Sequence, residues 1–325
     1  MNKNKVALLD IGARDGIGWP WIAVKSNSLD VILVEPDPVE AKVLEGKNHG
    51  KVLPYALWSE ETELTLNINN SPGTSSVFEA NMTFLQQFED AQRFEVKDKV
   101  FIKTKTIDGL AQSNEINSVD FVKIDVQGGE LAILQGGEKF FKNNIVGLEA
   151  EVEFASMYKN QPLFSDLDVF VREQLGLELW DIRKSYWKYK QQKYKGPLKG
   201  RLIFGDALYL RPFLTLEGWL STMEKDTATG KLHALIATTI AYGFLDYALT
   251  IIDANFSERY FSKEEKQFII KHIDSISKKF YPFKNGNLIL HRILSALTSS
   301  FKSTHNGWAT GEPCIGSRKK LFFWL

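Results

Sequence analysis

Short apolar runs alternate with polar stretches through the first two-thirds of the chain. Residues 6–11 predict a buried strand, residues 12–18 form a glycine-rich turn, and residues 31–34 predict a second buried strand. Further strands are predicted at 51–53, 63–68, 119–124, 145–152, 202–204 and 207–210, with helices at 129–134 and 166–175. This alternation is typical of an α/β protein with a doubly wound, mostly parallel sheet, and the last short strands predict an antiparallel edge.

After Arg211 and Pro212 the pattern changes to helical periodicity without convincing strands. Residues 232–252 predict one long, mostly buried helix, a capping box at 262–265 opens another, and 287–301 predict a third. We therefore expect an α/β domain over residues 1–212 and an all-α domain over residues 213–325.

The formal net charge of zero, from 40 basic and 40 acidic residues, argues against a nucleic-acid binder with a wholly basic surface. The charge is unevenly spread, because residues 182–205 contain eight basic residues, four interleaved aromatic ones and no acid. The remaining chain has 32 basic and 40 acidic residues. This basic-aromatic segment suits an anionic group or a sugar ring, and a solvated loop is the alternative.

The chain has one cysteine, Cys314, which excludes an intrachain disulfide and a cysteine-based metal cluster. The N-terminal apolar run is too short for a signal peptide, and the apolar stretch at 234–245 is shorter than a bilayer span. We expect a cytoplasmic protein that is at most membrane-associated.

The glycine-rich turn combines Gly12 and Gly16 with the acidic residues Asp10 and Asp15, and Glu35 ends the second predicted strand. In α/β sheets this turn holds a nucleotide, and the acid after strand two accepts hydrogen bonds from ribose hydroxyls. A pyrophosphate prefers backbone N–H groups without negative charge, and the glycine spacing is not G-x-G-x-x-G. The acidic turn therefore favours S-adenosylmethionine, which carries an ammonium and a sulfonium, over NAD. The alternative for Asp15 is that it caps the helix expected after the turn.

Six motifs then follow one another in a characteristic order: LDIG at 9–12, VEP at 34–36, SPGTSS at 71–76, DFVKIDVQGGE at 120–130, MYKNQPLF at 157–164 and FGDALYL at 204–210. Together they resemble the FkbM family of S-adenosylmethionine-dependent methyltransferases over roughly residues 6–212. Two departures stand out: Ala13-Arg14-Asp15 replaces a turn that is often richer in glycine, and Gln127 stands where an acid is common.

The resemblance implies a class I methyltransferase fold, Rossmann-like, with a seven-stranded, mostly parallel sheet. It places the methionine part of the cofactor near the first turn, the ribose on Glu35 and the adenine between the end of strand two and residues 56–57. The implied cofactor-binding residues are Asp10, Gly12, Ala13, Asp15, Gly16, Glu35, Pro36, Asp37, Ala56, Leu57 and Asp125.

A hydroxyl acceptor needs a general base, and the only histidine in the methyltransferase-like part is His49. The candidates are therefore the carboxylates Asp125 and Glu151. Glu149, Glu151 and Glu153 are spaced by two and share one face of their strand. With Asp125 they form a possible Mg²⁺ site, although pairing with lysines is favoured because no ligand spacing demands a metal.

The expected activity is methylation of a hydroxyl oxygen of a sugar, glycan or other small molecule. Four polar loop residues are candidate acceptor contacts: Ser75, Tyr158, Lys159 and Gln161. The basic-aromatic segment favours an anionic or lipid-linked acceptor, and the cationic-aromatic tail at 317–325 is a candidate membrane contact. The alternatives are N-methylation, a non-catalytic cofactor-binding scaffold acting through the helical part and, more distantly, an NAD-dependent oxidoreductase. The oligomeric state is not determined by the sequence.

Overall fold

A large central sheet organises the structure. The computed structural model describes residues 5–47, 49–190, 200–280, 288–299, 308–312 and 314–315. Its strands are β1 Val6–Ile11, β2 Leu29–Val34, β3 Lys51–Leu53, β4 Ala56–Leu57, β5 Glu63–Asn69, β6 Val96–Lys105, β7 Phe121–Ile124, β8 Gly147–Glu153, β9 Glu178–Trp187, β10 Arg201–Leu210 and β11 Ala309–Gly311. The central sheet has the order β11-β9-β10-β8-β7-β1-β2-β3, and β4-β6-β5 form a smaller sheet beside it.

The central sheet is parallel from β3 through β8 and antiparallel at its other edge. β1 pairs in parallel with β2 and β7, and β7 with β8, whereas β10 runs antiparallel to both β8 and β9. The predicted α/β architecture with an antiparallel edge is therefore confirmed. The sheet has one strand more than the expected seven, because β11 from the C-terminal part pairs with β9.

The described helices are α1 Pro38–Lys47, α2 Met82–Leu85, α3 Ile107–Gln112, α4 Glu130–Gln135, α5 Glu138–Asn144, α6 Phe164–Glu173, α7 Phe213–Ser221, α8 Lys225–Tyr242, α9 Leu245–Asp253, α10 Lys263–Phe280 and α11 Leu288–Ser299. The capping box of α10 is present, since the Ser262 N–H donates to Glu265 and the Glu265 N–H donates to Ser262 Oγ. The prediction of one long helix over 232–252 is wrong. Gly243, with φ +84°, ends α8 in the left-handed conformation that glycine adopts without a Cβ clash. None of the helices described is long and apolar enough to cross a membrane.

The connection between β1 and β2 contains no α-helix, which differs from the expectation of a helix after the first turn. Only two short 3₁₀ turns, Trp21–Ala23 and Ser26–Ser28, occur there. Gly16, Gly18 and Pro20 precede them, and both residue types disfavour a helix.

Helix α8 covers this side of the sheet instead. Leu232 and Leu235 of α8 share one hydrophobic cluster with Leu8 and Phe121 of the sheet. On the same helix, the buried Lys231 Nζ lies 2.8 Å from Asp120 Oδ1. Since the C-terminal helices pack on the sheet, they complete its core; the domain boundary at 212 and 213 itself stays a prediction.

Candidate active site

The carboxyl ends of β1, β2 and β7 meet at one edge of the sheet. The Gly12 N–H donates to Val34 O over 3.0 Å, and Gly12 has φ +81°. A Cβ on Gly12 would lie 2.0 Å from the backbone oxygen of Asp125. Only glycine therefore allows the first turn to pass this close to the end of β7, and the predicted cofactor turn lies directly beside Asp125.

Asp10 is the most deeply buried charged group of this turn, with 1% of its surface exposed. Its Oδ1 is buried without a hydrogen-bond partner, and Lys123 Nζ lies 3.9 Å away. Burial raises the pKa of Asp10 to about 6, although Lys123 opposes this shift. An unsatisfied carboxylate oxygen at the cofactor edge suits a cationic ligand group.

Glu35, the residue expected to bind the ribose, is buried directly after β2. Its Oε1 accepts the Asp37 N–H over 2.9 Å, and burial raises the pKa of its carboxyl. Pro36 is exposed and Asp37 half-buried, with Asp37 Oδ1 accepting the Val39 N–H at the start of α1. Hydrogen bonds therefore fix the backbone of residues 35–39 at the carboxyl end of β2.

The other predicted cofactor residues differ in accessibility. Ala13 is buried, Gly16 has φ +87°, and Asp15 is exposed in a turn that no α-helix follows. The alternative that Asp15 caps a helix is therefore wrong. Ala56 and Leu57 are buried in β4, so that they flank this edge from the smaller sheet.

Gln127 joins the two candidate bases. Its Nε2 donates to Glu151 Oε2 over 2.7 Å and to Asp125 Oδ1 over 3.2 Å, and its Oε1 accepts the Tyr158 hydroxyl over 3.1 Å. Gln127 has φ +61°, a conformation that costs a non-glycine residue about 1–2 kcal/mol. The strained backbone conformation therefore occurs at the residue whose side chain connects the two carboxylates. The sequence motif contained Gln127, but only as a departure from the family pattern.

The predicted acceptor residues fall into two groups. Tyr158 and Gln161 are buried: the Tyr158 hydroxyl donates to Thr74 O over 2.8 Å, and Gln161 Oε1 accepts the Tyr158 N–H. Ser75 Oγ accepts the Asn69 N–H, and Lys159 is exposed and pairs with Glu79 over 2.8 Å. Tyr158 and Gln161 therefore position Gln127 and its neighbours, and direct acceptor contacts of all four stay predictions.

Three buried carboxylates lie together behind Gln127. Glu130, Glu151 and Glu153 each place a carboxylate oxygen within 4.8 Å of the others. Burial is the largest cause that raises the pKa of each, and neighbouring carboxylates add to the effect. Glu153 Oε1 has no hydrogen-bond partner. Their donor type suits a divalent cation. The predicted Mg²⁺ grouping contained Glu151 and Glu153 with Asp125 and Glu149, and it did not include Glu130.

Glu149 is separated from that group by its own partner. Its Oε2 accepts the hydroxyl of Tyr242 on α8 over 2.6 Å, and burial raises its pKa to about 7. Glu149, Glu151 and Glu153 alternate along β8 as expected. Lys123 lies opposite Glu149 on β7 and its charge opposes the rise of the Glu149 pKa, whereas Glu153 forms no ion pair with a lysine among the described residues. Tyr242 was not identified from the sequence, because its contact joins segments 93 residues apart.

Comparison with known proteins identifies the family. The methyltransferase FkbM domain family matches residues 10–176, just over half of the chain. The chain belongs to this family. Its fold is the class I methyltransferase fold, with the parallel strands and the antiparallel edge described above. A search of curated proteins finds no match.

Solved structures of methyltransferases resemble the chain at low identity. A methyltransferase FkbM from Methylobacillus flagellatus KT is 14% identical over 64% of this chain, with a TM-score of 0.37. The match spans 44% of the length of that protein. TrmK from M. capricolum, solved with S-adenosyl-homocysteine, is 11% identical over 83% of this chain and 92% of that chain, with a TM-score of 0.29.

Proposed function

We propose that the protein transfers a methyl group from S-adenosylmethionine to a hydroxyl oxygen of a sugar or glycan. The observation that carries this proposal is the unit formed by Asp125, Gln127 and Glu151, which lies directly beside the glycine turn. Family membership supports methyl transfer, and the unit adds a carboxylate base beside the expected cofactor position. We expect the reaction to take place in the cytoplasm.

Charge supports S-adenosylmethionine as the donor. Among the described residues, Asp10 Oδ1 accepts no hydrogen bond and has only Lys123, 3.9 Å away, as a nearby cation. It therefore suits the ammonium group of the methionine part, and the Glu35 carboxylate suits the ribose hydroxyls. NAD is disfavoured because a pyrophosphate is normally held at the N-terminus of a helix after β1, and residues 12–28 contain only 3₁₀ turns.

The chain's own residues would orient the acceptor and remove its proton. The Asp125 side chain is 37% exposed, whereas Glu151 is buried, so Asp125 is the carboxylate that an acceptor hydroxyl reaches. Bound S-adenosylmethionine would supply the methyl group at this edge, and Asp125 would accept the proton that the acceptor hydroxyl loses. Gln127 orients Asp125 through the bond from its Nε2, and Glu151 in turn fixes Gln127 by accepting a second bond from the same amide. Lys123 Nζ, 3.7 Å from Asp125 Oδ2, balances part of the negative charge.

The test is transfer of a labelled methyl group to a panel of monosaccharides, sugar phosphates and amino sugars, read by mass spectrometry. We expect label on oxygen, and at least about 100-fold less in Asp125→Asn at saturating S-adenosylmethionine, since Asp125 is also an expected cofactor contact. Asp30→Asn is the matched control, since Asp30 is exposed at the opposite end of β2.

Each other outcome contradicts a defined part of the proposal. Label on an amine nitrogen would replace O-methylation by N-methylation. Cofactor binding without transfer to any acceptor would favour the scaffold alternative. Full turnover in both Asp125→Asn and Glu151→Gln would exclude these carboxylates as the base.

A further inference from the structure

Arg93 occupies an unusual environment next to the acceptor side of the site. Its guanidinium carbon lies 4.8 Å from the ring centre of Phe94, 5.0 Å from that of Trp187 and 5.2 Å from that of Trp308. The rings cover the faces of the guanidinium and leave its N–H groups, which lie in its plane, for other partners. We call this arrangement the arginine box: Arg93 with Phe94, Trp187 and Trp308.

Arg93 forms no ion pair with a carboxylate in the described part of the chain, and its Nε is buried without a hydrogen-bond acceptor. Burial lowers the pKa of the Arg93 guanidinium, and the nearby charge of Asp90 only opposes this shift. Leaving a buried N–H donor without a hydrogen-bond partner costs about 1–3 kcal/mol. If the rings served only to hold the arginine side chain in place, nothing would require the protein to bear this cost. The unsatisfied donor indicates that an acceptor atom from outside the chain completes this environment.

The arginine box is linked to the proposed reacting groups through few bonds. The backbone oxygen of Arg93 accepts the Thr74 hydroxyl over 2.9 Å, and Thr74 O accepts the Tyr158 hydroxyl over 2.8 Å. Tyr158 in turn binds Gln127, and its ring lies 5.9 Å from that of Phe94. Arg93 and Asp125 are therefore joined by a short chain of hydrogen bonds that passes through the buried Tyr158 and Gln127.

Charge differs between the two ends of this chain of hydrogen bonds. The buried Glu130, Glu151 and Glu153, whose pKa values are raised by burial, offer an anionic group no positive charge, whereas the Arg93 guanidinium does. In the basic-aromatic segment, Arg183 is paired with Asp206 over 2.7 Å and Lys184 with Glu312 over 3.5 Å. Lys193, Lys195 and Lys199 of that segment lie outside the described residues.

We propose that Arg93 binds an oxyanion, a phosphate or a carboxylate, carried by the methyl acceptor. The assignment of the oxyanion to the methyl acceptor rests on the proposed function, whereas the oxyanion site itself rests on the arginine box. Guanidinium binds both oxyanions through two parallel N–H···O bonds, with Nε as one of the donors. The acceptor is then an acidic sugar derivative whose hydroxyl lies at Asp125 and whose anionic group lies at Arg93.

The experiment is a titration of the full-length protein, labelled with ¹⁵N in its arginines, with inorganic phosphate and separately with glucuronate. The Nε–H resonance of Arg93 is identified by its absence in Arg93→Lys. We expect this resonance to shift saturably, with a dissociation constant of about 1–10 mM for the better ligand. The ligand that binds more tightly indicates whether the acceptor carries a phosphate or a carboxylate.

Arg172→Lys is the control, because Arg172 lies on α6 outside the proposed site and its Nε donates to Asp168 Oδ2 over 2.9 Å. Calorimetry should show phosphate or glucuronate binding weakened at least about tenfold in Arg93→Lys and unchanged in Arg172→Lys. Binding unchanged in a folded Arg93→Lys would overturn the proposal.

The titration of the wild-type protein tests the proposal even if Arg93→Lys does not fold. If no arginine Nε–H resonance shifts with either ligand up to about 50 mM, the proposal is overturned. S-adenosylhomocysteine binding is measured in parallel. Cofactor binding without oxyanion binding contradicts only the arginine box, and oxyanion binding without cofactor binding contradicts only the proposed function.

Discussion

Cofactor affinity should depend on pH through Asp10. The carboxyl is buried at the cofactor edge with an unsatisfied oxygen, and its pKa is raised to about 6. Without cofactor, Asp10 therefore takes up a proton as the pH falls below about 6. The ammonium group of S-adenosylhomocysteine favours the ionised carboxylate, so binding at low pH must first release that proton. Affinity should accordingly rise with pH and level off above pH 7.

The size of the effect follows from the ionised fraction. With a pKa of about 6, roughly one molecule in eleven has an ionised Asp10 at pH 5, and nearly all have at pH 8. Binding of S-adenosylhomocysteine should therefore be about tenfold weaker at pH 5, a difference of about 1.4 kcal/mol. The change Asp10→Asn removes the titrating group and should remove this pH dependence.

Calorimetry at pH 5, 6, 7 and 8 measures the affinities, and repeating it in two buffers of different ionisation enthalpy gives the protons released. At pH 5 the wild type should release about 0.9 proton more than Asp10→Asn. The ligand's own titration is common to both proteins and cancels. Asp30→Asn, exposed at the far end of β2, should behave like wild type. An equal pH dependence in wild type and Asp10→Asn would refute the reasoning.

Three further predictions concern other parts of the site and its support. Gly12→Ala should lower the free energy of unfolding by at least about 2 kcal/mol, read by thermal denaturation, because its Cβ would lie 2.0 Å from a backbone oxygen at φ +81°. Tyr158→Phe should lower kcat while leaving S-adenosylhomocysteine affinity unchanged, since Gln127 loses the donor that fixes its amide; a change in affinity alone would contradict the positioning role. Lys231→Met should destabilise the protein by about 3–5 kcal/mol in urea denaturation, because it leaves the carboxylate of Asp120 buried without its partner. The double variant with Asp120→Asn should recover most of that loss.

The sequence predicts the parts of the fold whose pattern is local. The first predicted strand has the same two end residues as β1, because polar residues before the apolar run and a glycine after it mark both ends of the strand in the sequence. The capping box of α10 was likewise identified, since it depends on two residues three positions apart. Strand β6 was missed, because its exposed alternating residues do not form an apolar run.

Features that depend on distant segments could not be predicted. The strand β11 exists only because β9 offers an edge more than 120 residues earlier in the chain. The arginine box joins residues from three separate segments, and an arginine beside one phenylalanine carries no recognisable motif. Within the candidate site, the family motifs predicted Asp125 and its neighbours. The contact of Gln127 with two carboxylates could not be predicted, because it depends on the left-handed backbone conformation of Gln127.

The C-terminal helices are better explained as part of the enzyme than as a separate interaction module. Trp21, in the connection that lacks a helix, donates from Nε1 to the Tyr242 hydroxyl over 3.2 Å and packs against Phe121 of β7. Tyr242 donates to Glu149, two residues before Glu151 on the same strand face. Helix α8 takes the place of the missing β1–β2 helix and bonds the buried Glu149, so removing it would expose that face of the sheet. Its first role is therefore to complete the core of the α/β domain, and a partner-binding role would be additional to this one.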